Sequence, residues 1–216
     1  MGAPWFEALA LPGVILIVIT STALYLVEDA VWSVALLAMQ TVGVFILTGR
    51  EWQLAPALSV LIAGWIAAAI LWQALYTHQQ EILASGRTDE QALRLSGSTL
   101  SYGSALSSVV FRLLAVVLVG LGSVSALPAL ADWAPGIAIE SAIGAVFLIG
   151  LGLFQLGLTN HPMRVIMGLI AILWGFTLIY ADVEKSALVA GLLALITMGL
   201  ALLGVYFIFQ SSMEQS

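Results

Sequence analysis

Glu140 has the strongest claim to chemistry in this sequence. It falls inside a long apolar run, where an ionised carboxylate is costly unless it serves a purpose or finds a partner. The chemistry open to it is proton transfer. Its run starts near Pro135, so at 1.5 Å per residue Glu140 lies roughly 7 Å deep, close enough to an interface to stay hydrated. Two readings stand: a proton relay, or an interfacial carboxylate at a helix start favoured by the helix dipole. Arg112 enters another apolar run by a similar distance from the opposite face. Gln40 is more central, and Gln155, Thr177 and Thr197 also lie within apolar runs. Amides and hydroxyls there usually bridge neighbouring helices, and as a group they could support a chain of waters. Glu140, Gln40 and Gln155 are therefore the candidates for an intramembrane polar or proton path.

Other chemistries find no residues. The chain has no cysteine, which removes disulfides, thiolate metal sites, iron–sulfur ligation and a cysteine nucleophile. Its two histidines, His78 and His161, have no histidine at ligand spacing, so neither a metal nor a haem is implied. No nucleotide-binding loop, Ser–His–Asp arrangement or paired carboxylates occur. The reading is no catalytic residues, no metal and no cofactor. A net charge of −6 also argues against a nucleic-acid partner, which would need a basic patch.

The elements that must position these residues follow from composition. Of 216 residues, 62% are hydrophobic and 8% charged, and the mean hydropathy is +1.10. Soluble domains carry about 25% charged residues. Backbone groups in lipid must pair internally, which leaves helices or a closed barrel. Barrel strands are about ten residues long and alternate polar with apolar. The runs here are long and unbroken, so the expected fold is all-α: a polytopic membrane helix bundle of about seven spans. We place them near 9–27, 30–48, 54–76, 106–127, 135–158, 163–181 and 186–209. Pro128 is expected to end the fourth.

The spans divide into an N-terminal three-helix unit (1–76), a polar cytoplasmic linker (77–105) and a C-terminal four-helix unit (106–216). Within the linker, Thr88 and Gln91 form a capping-box pattern and Arg94 follows, which predicts a short amphipathic helix. The start, "MGAPWFEALALPG", lacks the basic residues of a cleaved signal and is expected to remain as the first span. Trp5, Trp32, Trp52, Tyr76, Trp133 and Tyr180 fall near span ends as an aromatic belt. Trp65 and Trp174 lie mid-span and are expected to fill packing gaps. Arg87, Arg94, Arg112 and Arg164 gather on one side, Arg50 and Lys185 on the other. The positive-inside bias then puts the N-terminus outside and the C-terminus in the cytoplasm, in a plasma membrane.

Small residues let helices approach closely in lipid. Gly64 pairs with Ala68 and Gly191 with Ala187 at four-residue spacing, while Gly150 and Gly157 return to about the same face. All four glycines are expected at helix crossings. A repeat is also suggested: 30–76 and 162–208 align without gaps at an offset of 132. Identities such as Leu37/Leu169 and Gly43/Gly175 are few, and the stronger sign is a shared layout of span, charged turn and longer span. Copies four spans apart share an orientation, giving a parallel repeat.

The segment "LGLFQLGLTNHPMRVIMGLIAILWGFTLIYADVEKSALVAGLLALITMGLALLGVYFI" resembles the three-helix small membrane subunit of respiratory complex I (chain 4L) and its relatives in multisubunit cation/proton antiporters and the hydrogenase-4 membrane arm. The basic turn "TNHPMR", the helix ending "IYAD" and the helix opening "KSALVAGLLA" follow that family's order. The resemblance implies a membrane-embedded accessory subunit of an ion-translocating assembly, with larger membrane subunits as partners. That family carries glutamates inside its second and third helices. This chain has none there, which points to a scaffold role rather than proton carriage. The alternatives are a self-contained small-solute transporter or channel, and an unrelated membrane scaffold or assembly factor.

Overall fold

A backbone inside hydrocarbon must satisfy its own N–H and C=O groups, and this chain does so with helices throughout. The computed structural model describes residues 4–27, 29–84, 102–134, 136–159 and 162–213. Its helices are α1 (Pro4–Leu26), α2 (Ala30–Glu51), α3 (Leu54–Ala84), α4 (Tyr102–Trp133), α5 (Ile139–Leu158), α6 (Pro162–Val183) and α7 (Ala187–Met213). All seven are long and apolar enough to cross a membrane, and no described residue lies in a strand. The protein is a multi-pass helical bundle in contact with lipid.

Local sequence sets the helix ends. Asp29 caps α2 by accepting the N–H of Val31 at 2.8 Å, and Ser33 Oγ donates to the Asp29 carbonyl at 2.7 Å. Arg50 occupies the last turn of α2, where a cation suits the helix dipole. Several boundaries lie four or more residues from expectation: α1 starts at Pro4, α4 at Tyr102, and α7 ends at Met213. Helix α3 continues past Tyr76 to Ala84. Helix α4 continues through Pro128 to Trp133; the proline costs one backbone bond near the helix end, where too little helix remains to be disrupted. Helix α5 starts at Ile139 rather than Pro135, because Gly136 lies in a turn with Ile137 N–H bonded to the Ala134 carbonyl at 3.1 Å. The capping-box residues Thr88, Gln91 and Arg94, like His161, lie outside the described residues.

Helices α1, α2 and α3 form one row and α5, α6 and α7 a second. The rows stack with α1 on α5, α2 on α6 and α3 on α7. Helix α4 packs on α5 and more lightly on α1. There Val119 meets Tyr25, Phe147 and Leu151 in a small separate cluster.

The rows are copies. At an offset of 132, Leu26 and Leu158 both end helices, Ala30 and Pro162 both begin them, and Glu51 and Val183 both end them. The crossings match as well. A Cβ on Gly43 would sit 2.7 Å from Ile17 Cγ1 and 3.1 Å from the Gly13 carbonyl; one on Gly175 would sit 2.7 Å from both Ile149 Cγ1 and the Ala145 carbonyl. Each atom in the second crossing is the counterpart of one in the first.

The copies meet through opposite faces. Helix α2 buries Leu37, Gln40, Thr41, Val44 and Thr48. Their counterparts in α6 are Leu169, Ile172, Leu173, Phe176 and Tyr180, none of which is buried. Helix α6 instead buries Met167, Ile170, Ala171, Trp174 and Thr177; the matching residues of α2, Ala35, Ala38, Met39, Val42 and Phe45, are all at least partly open. The two units therefore stack in the same sense, like successive treads, and not about a two-fold axis. Trp174 fills the seam as expected, at 1% exposure, whereas Trp65 is 53% exposed on the outside of α3.

Candidate functional site

A fully buried amide, Gln40, lies near the middle of α2. Its Nε2 donates to Ser21 Oγ of α1 at 2.7 Å. This is the interhelical amide contact expected of it. The buried threonines are committed to their own helices. Thr20 donates to the Leu16 carbonyl at 2.7 Å, Thr41 to Leu37 at 3.0 Å, Thr48 to Val44 at 2.9 Å, Thr177 to Leu173 at 2.7 Å and Thr197 to Leu193 at 2.9 Å. Bonds of this kind satisfy a hydroxyl without joining helices, so these threonines form no chain across the bundle. Two polar atoms in mid-bundle remain buried without a partner, Gln40 Oε1 and Trp174 Nε1. Tyr25 OH and Ser141 Oγ are two more, nearer opposite ends of the helices.

The three candidate path residues do not converge. Glu140 is in the first turn of α5 and Gln155 near its end, about 22 Å apart along the axis at 1.5 Å per residue. Gln155 is buried where α5 crosses α6; a Cβ on Gly168 would lie 3.5 Å from its own Cβ. Glu140 pairs with Arg50 at 3.1 Å, both side chains partly exposed at 38% and 29%. The carboxylate thus neutralises a cation at the bundle's end and also faces the positive end of its helix dipole. The pair fits the interfacial alternative and supplies a partner that sequence spacing could not.

Both ends of the bundle are tied by polar contacts. On the Glu140 side, Trp52 is 1% exposed and its Nε1 donates to the Glu184 carbonyl at 2.9 Å. This bond joins counterpart turns of the two units. Trp52 was expected as an interfacial aromatic, and it is a buried clasp instead. Asp182 Oδ2 lies 3.0 Å from where a Cβ on Gly136 would be, so glycine leaves room for the carboxylate. On the opposite side, Arg164 donates to the Val27 carbonyl at 2.8 Å and Arg112 to the Leu26 carbonyl at 3.4 Å. Terminal carbonyls lack helical donors, and two guanidinium groups supply them here. Ser21, Trp52 and the arginine targets were not legible as site residues. The one available signal was that Trp52 and Glu184 occupy equivalent repeat positions.

The glycines separate into two kinds. A Cβ on Gly64 would overlap Thr41 Cγ2, and one on Gly150 would lie 2.6 Å from Val119 Cγ1. These are close crossings, as expected, but Gly150 meets α4 of the same chain. Gly157 and Gly191 were also expected at crossings, and a Cβ on either would meet no atom within 4 Å. They face outward, because equal spacing along one helix does not fix which face a neighbour covers. Among the described residues, no His, Asp and Glu cluster could hold a metal.

No family model, no curated protein and no solved structure matches this chain.

Proposed function

We propose that this protein is an accessory subunit of a membrane-embedded ion-translocating assembly of the complex I or cation/proton antiporter kind, with a structural rather than a proton-carrying role. One observation carries the reading: the three-helix layout that resembles the small complex I subunit occurs twice, and no described Asp, Glu, Lys, Arg or His is buried in either copy. A proton carrier needs a titratable group inside the bundle. The Arg50–Glu140 pair lies at its end and is partly hydrated. A transporter working alone would need a polar cavity near the midplane, commonly formed by broken helices. Here the helices crossing the middle are continuous, and the buried threonines there are bonded to their own backbones.

The protein would sit in the plasma membrane with its N-terminus outside. Arg164 and Arg112 would then mark the cytoplasmic end, and Arg50 and Lys185 the external end. Affinity purification of the tagged full chain in mild detergent tests the reading. A larger ion-translocating membrane subunit should co-purify in fixed ratio. Recovery of the protein alone, with solute flux after reconstitution by itself, would replace this reading with the transporter.

A further inference from the structure

The seam between α2 and α6 leaves an acceptor and a donor unsatisfied in the middle of the bundle. Gln40 is 0% and Trp174 1% exposed, and Gln40 Oε1 and Trp174 Nε1 have no hydrogen-bond partner. An unpaired buried polar group costs about 1–3 kcal/mol, and no outside water can reach either group in lipid. Gly43 of α2 faces α1 and Thr41 faces α3, while Gly175 of α6 faces α5 and Ile166 faces α7. At 3.6 residues per turn, Gln40 and Trp174 fall in the buried arcs between those directions, on the sides where the two rows stack. Their depths are close. Trp174 is the counterpart of Val42 at the repeat offset, so its Cα stands slightly beyond the level of Gln40. Both side chains lean toward their helix N-terminus, so the offset stays at two residues, roughly 3 Å along the axis.

We infer that this seam is a binding site for internal water, held in the bilayer middle between the Gln40 amide and the Trp174 indole N–H. Ser21 fixes the amide from the α1 side through its 2.7 Å bond. Turning the amide over would exchange which terminal atom is left unpaired, and water, as both donor and acceptor, serves either state. Buried waters of this kind make two to four bonds to otherwise unsatisfied groups. The second unit has no equivalent site. Gln40 is replaced there by Ile172 and Ser21 by Leu153, so the site belongs to the seam and not to the three-helix fold. It does not depend on the subunit proposal, since it concerns this chain alone.

Water-contact NMR on the ¹⁵N-tryptophan-labelled full chain in lipid nanodiscs tests it. The Trp174 indole resonance is assigned by its disappearance in Trp174→Phe. It should show a cross-peak to water that persists when external water signals are relaxed by a paramagnetic agent. Gln40→Leu should abolish that cross-peak and leave the other indole resonances unmoved. A Trp174 indole with no water cross-peak in the unsubstituted protein overturns the inference, whether the N–H is free or bonded directly to protein. So does a cross-peak lost to the external agent, which would mean bulk access. The measurement on the unsubstituted protein stands even if Gln40→Leu fails to fold.

Discussion

Helices α2 and α6 occupy the same place in two copies of one unit, yet they divide their polar residues in opposite ways. Helix α2 buries Gln40, Thr41 and Thr48; at those positions α6 carries Ile172, Leu173 and Tyr180, all only partly buried. Helix α6 turns Trp174 and Thr177 inward; at those positions α2 carries Val42 and Phe45, partly open. The backbone crossings are equivalent, as Gly43 and Gly175 show, while the polar residues of the two helices differ position by position. Lipid offers nothing to bond a polar side chain, and Gln40, Thr41 and Thr48 lie where they are covered. A same-sense contact does not close on itself and would ordinarily invite further copies. The bulky apolar outer faces, with Phe176 where α2 has Val44, suit lipid instead.

The largest effect should come from the equivalent crossings. Gly43→Leu and Gly175→Leu each drive a side chain into an opposing carbonyl and isoleucine. Each should cost about 3 kcal/mol or more, at the upper end of overpacking penalties, seen as loss of folded yield and a lower Tm in detergent. A large cost at one and none at the other would show that the crossings are not equivalent.

The seam should show a smaller asymmetry. Gln40→Leu should cost about 1 kcal/mol, in the range of interhelical polar contacts in membranes, whereas Ile172→Leu at the counterpart position should stay within about 0.5 kcal/mol. Chemical unfolding in mixed micelles reads both, and equal costs would remove the distinction between inner and outer face. Glu140→Gln should cost less still, under about 1 kcal/mol for a partly exposed ion pair. Under the subunit proposal it should leave the assembly's ion transport largely intact. Complete loss of transport with normal assembly would restore Glu140 as a proton relay. Gly191→Leu should leave Tm unchanged within error, and a marked loss would place a neighbour against that face.

The spans were legible because hydrocarbon allows so few backbone solutions: apolar runs of the right length can only be helices. The repeat was legible as spacing, not as identity: helix ends and the Gly43 and Gly175 crossings recur, while few other residues match. The faces were not legible. Periodicity says that Gly150 and Gly157 share a side of α5, not that Val119 covers one and nothing covers the other. Likewise, Glu140 pairs with Arg50, ninety residues away, which no local pattern could announce.

Same-sense stacking of the two units is best tested by reciprocity. A Cβ on Gly204 of α7 would lie 2.9 Å from Leu71 Cδ2 of α3. Under two-fold symmetry the counterpart pair, Trp72 and Leu203, would be in contact as well. In this structure Trp72 is 46% and Leu203 50% exposed. The natural absence of cysteine allows each pair to be replaced by cysteines and oxidised in native membranes. The account predicts an intramolecular disulfide in high yield for Leu71→Cys with Gly204→Cys, and none for Trp72→Cys with Leu203→Cys. Equal cross-linking of both pairs, or of the second alone, would contradict it.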